Sequence, residues 1–190
     1  MNIKQRLREV LLEAEKKDHK REYGCLMVFL DVDKKAWKEL QDMIDKDDLY
    51  TEKDDDGYGL EDKPHVTVLY GLHGEIEDKE LEVEINKITE PKISFKNIST
   101  FEADKYDVLK FDVSSSDLVK LNKKFKEFPH TSTFPNYHPH CTIAYLKKGV
   151  AEKYIKKAKD LVKMDMEPEK VVYSKVDGTE KNYKINKKEA

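Results

Sequence analysis

Apolar residues along this chain keep two rhythms: a spacing of three to four that marks helices, and continuous or alternating runs that mark strands. Ile3, Leu7, Val10, Leu11 and Ala14 recur at helical spacing among lysines and glutamates, which predicts an amphipathic helix over residues 3–18. Residues 23–32 form a continuous apolar run rich in strand formers, the pattern of a central strand. Asp33 stands at a capping position before a helix with Trp37, Leu40, Met43 and Ile44 on one face. A polar stretch, 47–63, separates it from a second strand at 64–71, and a helical segment follows at 78–87. Strands are predicted at 92–101 and 106–114, joined by a charged turn at 103–105. Ser114 or Ser115 then caps a helix to about residue 127, with Leu118, Leu121 and Phe125 inward. A polar loop at 129–139, a strand at 140–146, a helix at 150–163 and two strands, 169–177 and 181–187, flanking the turn Asp177-Gly178 complete the pattern. The order is that of an α+β fold with no linker between its halves: an N-terminal helix, 1–20, then a single domain, 21–190.

Composition narrows the function classes. Of 190 residues, 38% are hydrophobic, enough for a globular interior, and 39% are charged. The 36 basic and 39 acidic residues leave a net charge of −3. A long polyanionic partner is disfavoured, because phosphate neutralisation by a basic excess dominates such binding. The apolar runs are shorter than the roughly 20 residues a membrane helix needs, and the N-terminus has no signal-peptide core, so a soluble, cytoplasmic protein with no membrane partner is expected. Cys25 and Cys141 each lie in an apolar run, outside any CxxC pair, and read as two buried thiols of a reducing compartment.

The candidate chemistry lies in a repeat. Pro64-His65-Val66-Thr67-Val68-Leu69-Tyr70 aligns with Pro139-His140-Cys141-Thr142-Ile143-Ala144-Tyr145, and each copy follows a helix and a long loop. One such heptad is an ordinary piece of strand; two in matching contexts point to a duplication and a pseudo-twofold arrangement. On a strand, His and Thr at i and i+2 share a face, about 7 Å apart. Val66, Val68 and Tyr70, with Cys141, Ile143 and Tyr145, then point to the opposite face and fill the core. Side-by-side strands would bring His65, Thr67, His140 and Thr142 to one cleft. Imidazole has an unperturbed pKa of about 6.5, so one ring can accept a ribose 2′-hydroxyl proton while the other protonates the departing oxygen. The threonine hydroxyls can donate to the non-bridging phosphate oxygens. This chemistry needs no metal and no cofactor. His138-Pro139-His140 has no acidic or cysteine partner at a ligand-like spacing, and Asp54-Asp55-Asp56-Gly57 lacks the alternation of a calcium loop.

The paired motif resembles the 2H phosphoesterase superfamily, defined by two H-x-[ST]-hydrophobic motifs in a bilobal α+β fold of two pseudo-symmetric antiparallel-sheet lobes with a central cleft. The resemblance runs from about Tyr23 to Tyr173. Within the superfamily, YGCLMVFLDV, GLEDKPHVTVLYGLH and HPHCTIAYL look most like the phage anti-CBASS nucleases, which degrade cyclic di- and trinucleotide immune signals of bacteria. The resemblance implies a metal-independent phosphodiesterase acting on cyclic oligonucleotides, in the host cytoplasm if the gene is phage-borne. It also implies a base-stacking role for Tyr23, with Phe101 and Tyr106 as candidates of the same sort. Two alternatives stay open: a 2′,5′-RNA ligase-like or 2′,3′-cyclic phosphodiesterase acting on RNA, and a non-catalytic cyclic-nucleotide sponge. The loop 47–63, with eight acidic side chains against Lys53 and Lys63, is expected to repel a long nucleic-acid backbone and to cover a small ligand as a lid.

Overall fold

The structure is a computed structural model that describes residues 22–53, 57–132, 136–158 and 164–187. The helix expected at 3–18 lies outside these residues. Seven strands, β1 (Gly24–Val32), β2 (His65–Leu72), β3 (Ser94–Glu102), β4 (Tyr106–Ser114), β5 (His140–Lys147), β6 (Met166–Ser174) and β7 (Glu180–Lys184), form one antiparallel sheet in the order β3-β4-β5-β2-β1-β6-β7. Among the described residues four α-helices, α1 (Lys34–Asp42), α2 (Asp78–Ile85), α3 (Ser116–Phe125) and α4 (Ala151–Lys157), pack on one face.

The helices start where the caps are. Asp33 Oδ1 accepts from the amides of Lys35 (2.8 Å) and Ala36 (3.1 Å), and Ser115, rather than Ser114, accepts from Leu118 N. Trp37 and Leu40 of α1, Leu81 and Ile85 of α2, Leu118 and Phe125 of α3, and Ala151 and Tyr154 of α4 join Leu26, Val28, Val66, Phe111 and Ile143 in the main core. Each buried leucine, isoleucine, valine or phenylalanine among them contributes roughly 1.5–3 kcal/mol. Among the described residues, the opposite face of the sheet carries a small apolar cluster, Met27, Phe29 and Val172 with Cys25 against it, and no helix.

The four central strands, β4-β5-β2-β1, are arranged symmetrically about the β2/β5 junction, so β1-α1-β2-α2 and β4-α3-β5-α4 are related by a pseudo-twofold axis. The halves meet at a single ladder pair, Val66 opposite Cys141. Beyond it, each motif strand pairs instead with the loop preceding the other motif. Tyr50 N donates to Tyr145 O (2.9 Å), Tyr145 N to Gly59 O (2.7 Å) and Glu61 N to Ile143 O (3.0 Å). On the other side Thr131 N donates to Gly71 O (2.9 Å) and His73 N to Pro129 O (3.1 Å). Gly71 has φ +108°, and a Cβ there would stand 1.9 Å from Thr131 O, so only glycine permits this approach. The loop 47–63 is thus stitched to β5 on both of its described arms, which corrects the expectation of a lid.

The two motif strands also share a defect. Leu26 pairs with Leu69 but Met27 with Thr67, so Val68 is an extra residue; likewise Leu109 pairs with Ala144 but Lys110 with Thr142, so Ile143 is extra. Each bulge falls three residues after its histidine and shifts the alternation by one. Tyr70 and Tyr145, expected in the core, are turned to the face opposite the four helices instead, and Tyr70 is 47% exposed.

Candidate active site

Val66 and Cys141, paired at the junction, turn their side chains into the core and are fully buried. The flanking residues, His65 and Thr67 on β2 and His140 and Thr142 on β5, therefore project from the face opposite the four helices. All four side chains singled out by the repeat converge at the centre of that face.

Both histidines are held the same way. His65 Nδ1 lies 2.8 Å from the carbonyl of Lys63, and His140 Nδ1 lies 2.8 Å from that of His138, two residues back in each case. A carbonyl oxygen only accepts, so Nδ1 carries a proton in both rings and Nε2 is the basic nitrogen of a neutral ring. The rings also have aromatic supports: Phe29 stacks on His65 at 5.5 Å, and Phe101 meets His140 edge-on at 4.9 Å. Phe101 is thus in direct contact with the site.

Charge breaks the symmetry. Glu61 Oε2 is 3.8 Å from His65 Nδ1. On β4, Asp112 is the register partner of His140, and Lys110 that of Thr142. Lys110 is 4% exposed; its ammonium donates to Ser99 Oγ at 2.7 Å, ion-pairs with Asp112 and sits 4.1 Å over the Phe101 ring. Ser99 Oγ in turn donates to Asp112 Oδ1 at 2.7 Å. Burial resists ionisation of Asp112, yet the hydrogen bonds from Lys110 and Ser99 hold its carboxyl below the usual range. Burial holds His140 below the ordinary imidazole value, helped by Lys110 and His65 and opposed by the His138 carbonyl and Asp112. The position equivalent to Lys110 on β1 is Met27, opposite Thr67.

Tyrosines flank the centre on both sides. Tyr23 packs edge-on against Tyr70 at 6.0 Å, and Tyr106 against Tyr145 at 5.5 Å. These pairs occupy equivalent positions, because Cys25 pairs with Tyr70 as Val108 pairs with Tyr145. His73 stacks on Tyr23 at 6.0 Å; Tyr58, which touches Tyr145 and Tyr106, and Tyr50 extend the other cluster. Tyr23 and Tyr106 therefore stand at matching ends of the face.

Sequence reasoning missed Glu61, Lys110, Asp112 and the outward turn of Tyr70 and Tyr145. Two signals were available. Tyr23-x-x-Leu26 aligns with Tyr106-x-x-Leu109, a second repeat marking β1 and β4 as equivalents. Lys110 interrupts the apolar run Val108-Leu109-Lys110-Phe111, and a buried cation is informative wherever it occurs. His130 Nδ1 donates to Phe128 O at 2.8 Å as part of the crossing loop. Of the two thiols expected to be buried, Cys141 is, and burial pushes it well up, whereas Cys25 is only half-buried. Among the described residues, no three His, Cys, Asp or Glu side chains form a metal-ligand group, and no helix is long and apolar enough to cross a membrane. A concavity of about 430 Å³ lined by Phe29, Lys63, Pro64 and Lys170 opens beside His65; another, about 380 Å³ around Gly74, Asp78 and Lys175, lies away from the histidines.

Solved structures share this architecture. Kluyveromyces marxianus Usb1 superposes with a TM-score of 0.51 at 12% identity, covering 87% of this chain and 99% of that one, a likeness of fold. No curated protein sequence matches the chain. The family model of the 2′-5′ RNA ligase superfamily matches residues 31–178 and spans both His-x-Thr motifs. With two such motifs converging at one sheet junction, the chain belongs to the 2′-5′ RNA ligase superfamily and is a phosphodiesterase of the 2H type.

Proposed function

We propose that this chain opens cyclic di- and trinucleotides by cleaving a 3′,5′-phosphodiester bond, with His65, Thr67, His140 and Thr142 as the catalytic residues. The 2′-oxygen bonds to phosphorus as its proton passes to one imidazole; the bond from phosphorus to O5′ breaks, and O5′ takes a proton from the other. The product is linear and ends in a 2′,3′-cyclic phosphate. The two threonine hydroxyls donate to the non-bridging oxygens, where charge builds.

One observation carries the substrate class: the equivalent tyrosine pairs, Tyr23/Tyr70 and Tyr106/Tyr145, on either side of a pseudo-twofold centre. A cyclic dinucleotide has a base on either side of each phosphodiester, and a tyrosine pair stands on either side of the histidines to take them. Stacking on such faces contributes about 1–3 kcal/mol per base. Phe101, beside His140, contacts the ribose or base nearest the reacting phosphate. Bacteria use such rings as antiviral signals, so the enzyme would act in counter-defence, in the cytoplasm of an infected host. The superfamily match favours a second reading, cleavage of a 2′,5′ linkage in RNA.

Incubation with a panel of 3′,5′-cyclic di- and trinucleotides and with linear 2′,5′-oligoadenylate, with and without EDTA, separates the readings by product mass. Linearised rings in both conditions are expected. Turnover of the 2′,5′-oligomer alone would move the substrate class, and loss of turnover on chelation would end the metal-free mechanism. Stoichiometric depletion of ligand by a His65→Ala, His140→Ala double variant, without product from either protein, would make the chain a sponge.

A further inference from the structure

The fold makes the two histidines equivalent; their surroundings do not. We infer that His140 is the general base that takes the 2′-hydroxyl proton and His65 the general acid that protonates the leaving O5′, with Lys110 as the positioning residue that sets this polarity. The inference rests on the two-histidine phosphodiesterase reading.

Each imidazole has one carboxylate neighbour, Glu61 for His65 and Asp112 for His140. A carboxylate beside an imidazole favours the protonated ring. At His140 that pull is cancelled, because Asp112 is tied up by the buried ammonium of Lys110 and by Ser99 Oγ. The remaining groups facing His140 are the Phe101 edge, the His138 carbonyl and His65 itself, a second potential cation. His140 is thus kept neutral with Nε2 available.

At His65 the arrangement is reversed. Glu61 Oε1 accepts from the Lys63 amide at 2.9 Å, leaving Oε2 directed at the ring. Two cations lie near this end: Lys63 Nζ, 3.9 Å from Glu180, and Lys170 Nζ, 5.5 Å over the Phe29 ring that separates it from the imidazole. The β1 residue equivalent to Lys110 is Met27, so no buried ammonium opposes the imidazolium from that strand. With Glu61 Oε2 facing the ring, His65 is assigned the acid's role, and the proton on its Nε2 is the one delivered to O5′. Reverse attack by water on the cyclic phosphate would exchange the two roles.

The test replaces O5′ of the scissile bond with sulfur, a leaving group that departs without a proton. Cyclic dinucleotides with one 5′-bridging sulfur and their oxygen parents are given to wild type, His65→Ala and His140→Ala. On oxygen, each variant is expected to lose about 10²–10⁴-fold in rate, the range of a general acid or base. On sulfur, His65→Ala recovers most of its loss and His140→Ala recovers none. Recovery by His140→Ala, by both, or by neither overturns the assignment. If wild type cleaves neither ring, the cyclic-dinucleotide reading falls instead, and the acid/base assignment with it. NMR titration of the imidazole C2 protons in the full chain tests the cause. Lys110→Met, which copies Met27, is expected to raise the His140 titration and leave that of His65. The Lys110→Met, Asp112→Asn pair, which removes both charges, is expected to return it. An unmoved His140 in a folded Lys110→Met variant would refute the role of Lys110.

Discussion

Two glycines with similar backbones allow the crossing loops to be weighed. Gly71 has φ +108° and Gly149 φ +83°, so alanine at either meets backbone strain of roughly 1–3 kcal/mol. Their surroundings differ completely. A Cβ at Gly149 has nothing within 4 Å, whereas one at Gly71 would lie 1.9 Å from Thr131 O. The Gly71→Ala variant must therefore also push the 129–132 segment off β2. It loses the 2.9 Å bond from Thr131 N to Gly71 O, about 1 kcal/mol, and incurs overpacking of about 1–3 kcal/mol. The excess over Gly149→Ala is about 2–4 kcal/mol, and in a chain of this size 1 kcal/mol moves Tm by about 2–4 °C. Calorimetry of the two variants beside wild type is expected to place Gly71→Ala roughly 4–16 °C below Gly149→Ala. Only Gly71→Ala is also expected to lose turnover, since the displaced loop carries Tyr137, whose hydroxyl donates to Thr67 O at 2.8 Å. Melting points within 2 °C of each other would refute the claim that loop crossing holds the halves together.

Three further outcomes are expected. The acidic limb of kcat/KM against pH should fall below the ordinary histidine value of about 6.5, because burial, Lys110 and His65 all disfavour the His140 imidazolium. A limb above pH 7 would contradict this sign. Tyr23→Ala and Tyr106→Ala should each weaken binding of a cyclic dinucleotide by about 1–3 kcal/mol, roughly 5–150-fold by calorimetric titration on a His65→Ala background, while Tyr→Phe at either position retains it. Equal binding by alanine and wild type would remove the stacking role. Asp33→Ala should cost about 1 kcal/mol, seen as a Tm lowered by a few degrees with kcat unchanged, since the carboxylate caps α1 far from the histidines.

What could be read from the chain alone followed physical range. Local signals were legible: the apolar run of β1, the caps at Asp33 and Ser115, and the His-x-Thr repeat that brings four side chains to one face. Boundaries slipped where residues support either state. The segment expected at 150–163 forms helix only to Lys157, with 159–163 outside the described residues, and β6 begins at Met166 rather than 169. Tyr70 and Tyr145 were misplaced because strict alternation was assumed, and bulges at Val68 and Ile143 leave no trace in hydropathy. Lys110 and Asp112 look like the exposed residues of a half-buried strand until Ser99 and Phe101, from β3, are folded over them. The crossing loops were invisible because they pair segments more than 50 residues apart, and no local periodicity encodes such a pairing.

Those crossings make the two halves mutually dependent. The strand carrying His65 is completed at its far end by backbone that precedes His140, and the strand carrying His140 by backbone that precedes His65. A fragment ending between α2 and β3 would expose the unpaired edge of one motif strand and release the segment that should close the other. Neither half can reach its native register by itself, so the duplicated units fold and unfold as one cooperative body. Any insertion into either loop, however distant from its own histidine, is felt first by the opposite one.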